Sequence, residues 1–145
     1  MLRSANANEE TVLNLFSSMS AKDLPRAATY LHADISWTLM LADVPGRGPH
    51  LGREAVMKNI LAGGRGIFRE GDPKVHVDSI VSAGDFVMAE THGSGARVDG
   101  RPYNNTYAWA IEMHDGKVFK VREYMDSLYV ARFFDMSSSE PTAPR

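Results

Sequence analysis

The densest set of chemically active side chains lies between Asp115 and Asp126, in the sequence DGKVFKVREYMD. Its Asp-Gly step is typical of a hairpin turn, because that turn favours positive φ, which glycine adopts freely. The residues that follow alternate as in a strand. One predicted face carries Arg122, Tyr124 and Asp126, and the other carries Val121, Glu123 and Met125. An acid that points from this strand into an apolar hollow loses hydration, which raises its pKa toward the range useful for proton transfer.

Asp126 has two interpretations, and the sequence leaves both open. In the first it is a pocket acid, and Tyr124 on the same face donates a hydrogen bond to it or to a substrate. In the second it caps the apolar closing segment 128–134, because Asp often precedes the first turn of a helix. A raised pKa would indicate the pocket acid, whereas a normal value of about 3.9 would indicate the cap.

Further candidates for a substrate-binding wall lie earlier in the chain. Trp37 and Leu39 share one face of a strand predicted over 35–41, and Tyr30 lies at the end of the preceding helix. Ordinary core packing is the alternative for each aromatic residue. His50 belongs to the Gly- and Pro-rich loop 44–52, where it either hydrogen-bonds a ligand at the pocket rim or is solvated.

Composition excludes several kinds of chemistry. The chain has no cysteine, so thiolate catalysis and cysteine-ligated metals are excluded. Its five histidines form no His-x-x-x-His or Glu-x-x-His pair, and His76 with Asp78 is only a weak pair on one strand face. We therefore expect neither a metal nor another cofactor.

Charge and hydropathy limit the classes of partner that the chain can bind. The chain carries 16 Lys and Arg against 18 Asp and Glu, a formal charge of −2, without the basic excess of a protein that tracks nucleic-acid phosphates. Its apolar runs are far shorter than the roughly 20 residues of a membrane span, and its start lacks an apolar signal region. We expect no nucleic-acid or membrane partner, and a cytoplasmic location.

The helices and strands that would position these residues are predicted from the periodicity of apolar residues and from the capping and turn residues between them. Helices are predicted at about 9–20, from an Asp23 cap to about 31, and over 53–62, with a strand at 35–41 between the second and third. Four strands are predicted over 74–82, 86–93, 103–113 and 117–126, before the closing segment. This order predicts a single α+β domain over 9–134 with flexible termini, 1–8 and 135–145. Helices packed on one face of an antiparallel sheet leave a hollow, which is the expected binding site.

This order resembles the SnoaL-like proteins of the nuclear transport factor 2 and ketosteroid isomerase superfamily. The residues that carry the resemblance are Tyr103-Asn-Asn-x-Tyr107, then Asp115-Gly-Lys, then Glu123-Tyr-x-Asp126. The resemblance implies a curved antiparallel sheet that forms a cone with the helices over its mouth, usually dimeric through the outer face. It also implies that Asp126 matches the acid–base Asp of similar polyketide cyclases.

Other activities of the superfamily fit less well. Laid on this chain, the Arg and second Asp of limonene epoxide hydrolases fall on Thr91 and Gly93. The base Asp of ketosteroid isomerases belongs to the first strand, yet residues 35–42 contain no acid, and Asp43 comes late. The resemblance therefore favours neither mechanism.

Two strands carry predictions about the sheet faces. The resemblance implies that Thr91 looks into the cone, so that Glu90 and His92 face a dimer partner. Tyr107 and Trp109 share one face of the next strand, and small residues occupy the other. Small inward residues would leave pocket volume, and aromatic residues are enriched at interfaces, which favours an interfacial role. The alternative is that these aromatic residues line the pocket.

The functional expectation is a SnoaL-like enzyme of the isomerase, cyclase or lyase class. It would act on an apolar oxygenated substrate with Asp126 as the acid–base group, and with Tyr30, Trp37, Leu39, His50, Thr91 and Tyr124 as substrate-binding residues. The alternative is a non-catalytic protein that holds a lipophilic ligand or a protein partner. In both cases we expect a homodimer through Glu90, His92, Tyr107 and Trp109.

Overall fold

The computed structural model describes residues 2–42, 44–64 and 66–136 of the chain, so Asp43 and the predicted tail from 137 onward lie outside the described residues. The helices of the described part are α1 (Ala7–Ser20), α2 (Leu24–Ala28), α3 (Arg53–Val56), extended by a π-helical turn (Met57–Leu61), and α4 (Ser127–Phe133). Its strands are β1 (Leu31–Leu39), β2 (His50–Leu51), β3 (Lys74–Ala83), β4 (Phe86–Ala96), β5 (Pro102–Tyr103), β6 (Thr106–His114) and β7 (Lys117–Met125). The predicted α+β class is confirmed. The helices and long strands follow in the predicted order, but the predicted loop 44–52 contains β2, and the strand predicted over 103–113 is divided into β5 and β6.

The strands form one curled sheet in the order β2-β1-β7-β6-β4-β3, and β5 pairs with β4. The meander of β3, β4, β6 and β7 is antiparallel throughout. β1, in contrast, lies parallel to β7. The chain between these two strands contributes all the other strands of the sheet. The first and last long strands are therefore neighbours.

Helix α1 covers the hollow of the sheet. The Asn6 side chain caps it by accepting a hydrogen bond from the Glu9 amide at 3.0 Å, so the helix begins two residues before its predicted start. Its buried face presents Val12, Leu15 and Phe16 to the sheet core. Burial of these side chains stabilises the helix more than its own propensity does.

The register decides which side chains enter the hollow, because laterally paired residues project from the same face of a sheet. Across β4, β6 and β7, Ala89 pairs with Trp109 and Trp109 pairs with Glu123, which pairs with Leu39 on β1. The face that carries this row is packed against α1 and is called the concave face; the opposite face is the convex face.

One face prediction is wrong. Thr91 pairs with Tyr107, so Tyr107 and Trp109 lie on the concave face and do not share a face with Glu90 and His92. Trp109 is only 3% exposed and belongs to the core. The aromatic residues of β6 thus match the pocket-lining alternative, because the register puts them on the face that packs against α1.

Candidate functional site

A cavity of about 370 Å³ opens between the concave face, the π-helical turn and α4. Its wall is mainly aliphatic and aromatic, with contributions from every layer of the fold. The apolar lining residues are Met19, Leu39, Leu41, Ile60, Leu61, Ile67, Phe68, Pro73, Val75, Tyr103, Tyr107, Trp109, Met125, Val130 and Phe134. Such a volume and lining suit a small, largely apolar molecule.

The acid in this cavity is Glu123. Its Oε1 accepts a hydrogen bond of 3.0 Å from Trp37 Nε1. Burial raises the pKa of this carboxyl from 4.5 to about 7, while the hydrogen bond from Trp37 opposes the rise because it favours the charged form. A carboxyl that titrates near neutrality is populated both as base and as acid, as proton transfer requires.

Glu123 reaches the cavity because of its place in β7. It pairs laterally with Trp109 on one side and Leu39 on the other, and Met125 lies two residues further on the same face. Among the described residues, Trp37 is the one hydrogen-bond partner of the Glu123 carboxyl group. The sequence carries a signal for this position, because Val121, Glu123 and Met125 place an acid between two apolar side chains of one strand face.

Hydroxyl groups supply the polar handles of the cavity. The hydroxyls of Tyr103 and Tyr107 are hydrogen-bonded to each other, and burial raises the pKa of Tyr103 to about 12, so it stays a donor at neutral pH. Thr91 Oγ1 accepts a hydrogen bond of 2.9 Å from Trp109 Nε1. Gly93 makes room for the tyrosines, because a Cβ there would approach Tyr103 Cε1 to 2.8 Å.

Three predicted substrate-binding residues lie at this site. Leu39 and Thr91 line the cavity directly. Trp37 is 1% exposed and sits behind the wall, where it reaches the cavity only through its hydrogen bond to Glu123. These positions follow from the concave faces of β1 and β4.

Three other predicted residues lie elsewhere. The Tyr30 hydroxyl accepts a hydrogen bond of 3.2 Å from Arg26 Nε, and the ring packs against the core from outside the cavity wall. His50 Nε2 lies 2.7 Å from the Gly46 carbonyl oxygen. Tyr124 projects from the convex face and is 41% exposed.

Asp126 follows the last residue of β7 and is exposed. Its Oδ1 accepts a hydrogen bond of 3.1 Å from the Tyr129 amide, so it is the N-cap of α4. This geometry matches the capping interpretation. The strand alternation that put Asp126 beside Tyr124 also directs it away from the face that carries Glu123, which is the acid that the cavity holds.

Possible metal ligands gather at a different place. His32, His114 and Asp115 bring their ligand atoms within 4.8 Å of one another at the β6–β7 turn. His32 Nδ1 accepts a hydrogen bond of 3.0 Å from the Asp34 amide, and this bond uses one ring nitrogen. The weak pair expected from the sequence is rearranged, because Asp78 contacts His92 Nδ1 at 2.9 Å.

Comparisons with known proteins agree with this architecture. The model of the SnoaL-like domain family matches residues 12–121. A search of curated proteins finds no match, and none of the described helices is both long and apolar enough to span a membrane.

Three solved structures share the fold at low sequence identity. TerC, co-crystallised with polyporic acid, is 15% identical over 90% of this chain and 99% of its own, with a TM-score of 0.77. A candidate isomerase from Bacillus subtilis is 22% identical over 90% and 94%, with a TM-score of 0.76. A candidate SnoaL-like polyketide cyclase from Jannaschia sp. CCS1 is 19% identical over 94% and 99%, with a TM-score of 0.75.

Proposed function

Because the chain belongs to the SnoaL-like domain family, we propose that it is a small-molecule enzyme of the isomerase, cyclase or lyase class. Its substrate is apolar and oxygenated, and Glu123 is its acid–base group. The observation that carries the proposal is a carboxyl with a pKa of about 7 in an apolar cavity. The candidate isomerase and the candidate polyketide cyclase among the structural relatives support the reaction class.

The proposed chemistry is a proton shuttle next to a carbonyl group. The Glu123 carboxylate removes a proton from the carbon α to the carbonyl, and the electron pair of the broken C–H bond moves onto the carbonyl oxygen. In the hydrogen-bonded pair of Tyr103 and Tyr107, one hydroxyl donates to the other, and the second donates its free proton to that developing oxyanion. The Glu123 carboxylic acid then returns the proton to carbon or oxygen. Such acid–base catalysis contributes about 10²–10⁴ in rate.

The proposal moves the acid–base role from Asp126 to Glu123. Asp126 is exposed and caps the first turn of α4, outside the apolar surroundings of the cavity. Glu123 has those surroundings, and Trp37 fixes its orientation through a single hydrogen bond. Leu39 and Thr91 keep their proposed substrate contacts, and Trp37 becomes a positioning residue.

Deuterium exchange into 2-tetralone, followed by NMR in D₂O, tests the proposal. This apolar ketone has acidic C–H bonds beside its carbonyl and needs no cofactor to exchange. We expect the protein to accelerate the exchange, and Glu123→Gln to remove about 10²-fold or more of the acceleration. The substitution keeps the size of the side chain and its ability to accept from Trp37 Nε1.

Two matched variants separate the candidate acids. Glu112→Gln makes the same chemical change on the convex face, where Glu112 pairs with Arg122, and should leave the exchange unchanged. Asp126→Asn should also leave it unchanged. Loss of exchange in Asp126→Asn with retention in Glu123→Gln would overturn the assignment. Binding of 2-tetralone with no exchange above background would instead indicate the non-catalytic ligand-binding function.

We also propose that the chain forms a homodimer through the convex face. Glu90 and His92 lie there, together with Met88 and Tyr124, which are 36% and 41% exposed. Tyr107 and Trp109 take no part, since they belong to the concave face. Light scattering should report a dimer for the wild type and a monomer for Met88→Glu; an unchanged mass would contradict this interface.

Subcellular fractionation would check the proposed cytoplasmic location.

A further inference from the structure

Two lysines stand at the rim of the cavity. Lys22 lies in the turn between α1 and α2, Lys74 is the first residue of β3, and both line the cavity. Lys22 Nζ donates to the Pro73 carbonyl oxygen at 2.6 Å, and Lys74 Nζ donates to the Ser20 carbonyl oxygen at 3.3 Å. The two ammonium groups thus meet where the helical layer and the sheet form one edge of the opening.

Neither ammonium has its charge directly compensated. An ammonium group has three donors, and each of these uses one on a backbone carbonyl. In the described part of the chain, no carboxylate comes within ion-pair distance of either. The nearby Asp72 accepts from the Ala96 amide at 3.1 Å. Burial and then the charge of Lys74 lower the pKa of Lys22, and Asp72 opposes that change.

The rim also connects the cavity to a more polar groove. This groove shares Lys22, Gly63, Gly64, Phe68 and Pro73 with the cavity and adds Arg69, Glu70 and Asp72. The rim and the groove together carry three cations, Lys22, Lys74 and Arg69, against two acids, Glu70 and Asp72. A ligand that fills the apolar cavity would therefore leave its most polar end in a positively charged mouth.

Glu123 lies in the same cavity but several strands away from this mouth. Two strands, β6 and β4, separate β7 from β3, so three strand spacings put their backbones about 14 Å apart. A negatively charged group would be repelled from Glu123 and attracted to Lys22 and Lys74. The charges of the cavity thus define an inner, reactive end and an outer, anion-binding end.

We propose that the site takes amphipathic anions, with an apolar body in the cavity and one carboxylate or sulfonate group held by Lys22 and Lys74. This inference rests on the proposed function, because it orients the oxygenated apolar part of the substrate toward Glu123. It adds a substrate class, an apolar organic acid, and two residues that recognise the acid group.

The two lysines also connect secondary-structure elements, and a test has to separate that role from ligand binding. Lys117 offers a matched control. Its Nζ donates to the Thr29 carbonyl oxygen at 2.6 Å, so it makes the same kind of contact as Lys22 but away from the cavity. If Lys22 and Lys74 served only to connect these elements, substitution of any of the three lysines would lower stability without changing the preference for an anion.

A pair of fluorescent probes isolates the charge. 1-Anilinonaphthalene-8-sulfonate and N-phenyl-1-naphthylamine share one apolar body, and only the first carries a sulfonate. In fluorescence titrations we expect the wild type to prefer the sulfonate, and Lys22→Met/Lys74→Met to weaken sulfonate binding roughly tenfold without changing the affinity for the neutral probe. Lys22→Arg/Lys74→Arg should retain the preference, and Lys117→Met should match the wild type.

The other outcomes overturn the inference in distinguishable ways. Equal weakening of both probes in the double Met variant would show that the lysines only hold the rim together. Tight neutral binding with no preference for the sulfonate in the wild type would refute the anion site and leave the proposed function intact. Binding of neither probe would refute both, because the cavity would then hold no apolar ligand. Raising the salt concentration should reduce the preference.

Discussion

The two faces of β6 and β7 carry the same residue type in opposite surroundings. On the convex face, Glu112 Oε2 accepts from Arg122 Nη1 at 2.9 Å, and that hydrogen bond is the main reason that the pKa of Arg122 is raised. On the concave face, Glu123 meets one neutral donor, Trp37, and burial raises its pKa to about 7. A change of face on two neighbouring strands separates a surface ion pair from a carboxyl with a raised pKa.

The difference teaches that position on the sheet decides what a carboxyl does. An exposed pair such as Glu112 and Arg122 is hydrated and screened, and pairs of this kind contribute about 0–1 kcal/mol. A carboxyl among apolar side chains keeps its proton to higher pH because ionisation would cost solvation free energy.

The largest contrast should appear when one side chain is truncated on each face. Trp109 is 3% exposed and packs edge-on against Phe16 and Trp37, so Trp109→Ala should lower the free energy of unfolding by about 3–5 kcal/mol. Arg122→Ala should cost about 1 kcal/mol or less. Urea denaturation followed by circular dichroism measures both. Similar losses for the two variants would contradict the division into a packed face and a solvated face.

The second contrast lies in the pH dependence of stability. The folded state holds the Glu123 proton up to a pKa of about 7, whereas an unfolded chain releases it near 4.5. Between these values the unfolded state binds fewer protons, so the free energy of unfolding falls as pH rises, by a total on the order of 3 kcal/mol, and levels off above about pH 7.

Two variants make this prediction specific to one face. Glu123→Gln should remove the fall and be more stable than the wild type at about pH 8, because no charge is then buried. Glu112→Gln should retain the fall. Urea titrations across this pH range provide the measurement, and a fall that survives in Glu123→Gln would assign it to another group.

The third contrast concerns the hydrogen bond that opposes the burial of Glu123. Trp37→Phe keeps an aromatic ring but removes the Nε1 donor. Since that donor favours the charged carboxylate, its loss should raise the pKa of Glu123 by roughly one unit more. Carbon-detected NMR of the Glu123 carboxyl, or the pH profile of 2-tetralone exchange, reports the shift. A carboxyl that titrates as in the wild type would show that Trp37 does not orient it.

Much of the architecture follows from local sequence signals. The Asp115-Gly116 step marks the β6–β7 hairpin, Asp23 caps α2 through the Arg26 amide, and periodicity separates helices from strands. These signals depend on residues within a turn or two of each other. The parallel neighbours β1 and β7 have no such signal, because they meet only after the sheet has formed.

The site was harder to predict because alternation sorts side chains into two sets without saying which set is inside. The enrichment of aromatic residues at interfaces favoured the convex face for Tyr107 and Trp109 of β6. Their pairing with Thr91 and Glu123 instead places both on the concave face. On β7 the resemblance directed attention to Asp126. A consistent register across the four strands identifies Glu123, and that register depends on contacts between distant segments.

The smallest expected effect distinguishes the two roles of Asp126. As the N-cap of α4, it needs only a side-chain oxygen that accepts from the Tyr129 amide. Asp126→Ala should therefore lower the free energy of unfolding by about 1 kcal/mol, while Asp126→Asn, an equally good cap, should leave it nearly unchanged. Neither should alter the pH profile of exchange, which follows Glu123. If Asp126 were the acid, Asp126→Asn would abolish proton transfer while preserving the helix. Stability and activity measured on the same two variants therefore decide whether the acid is Glu123, on the concave face of β7, or Asp126, directly after the strand.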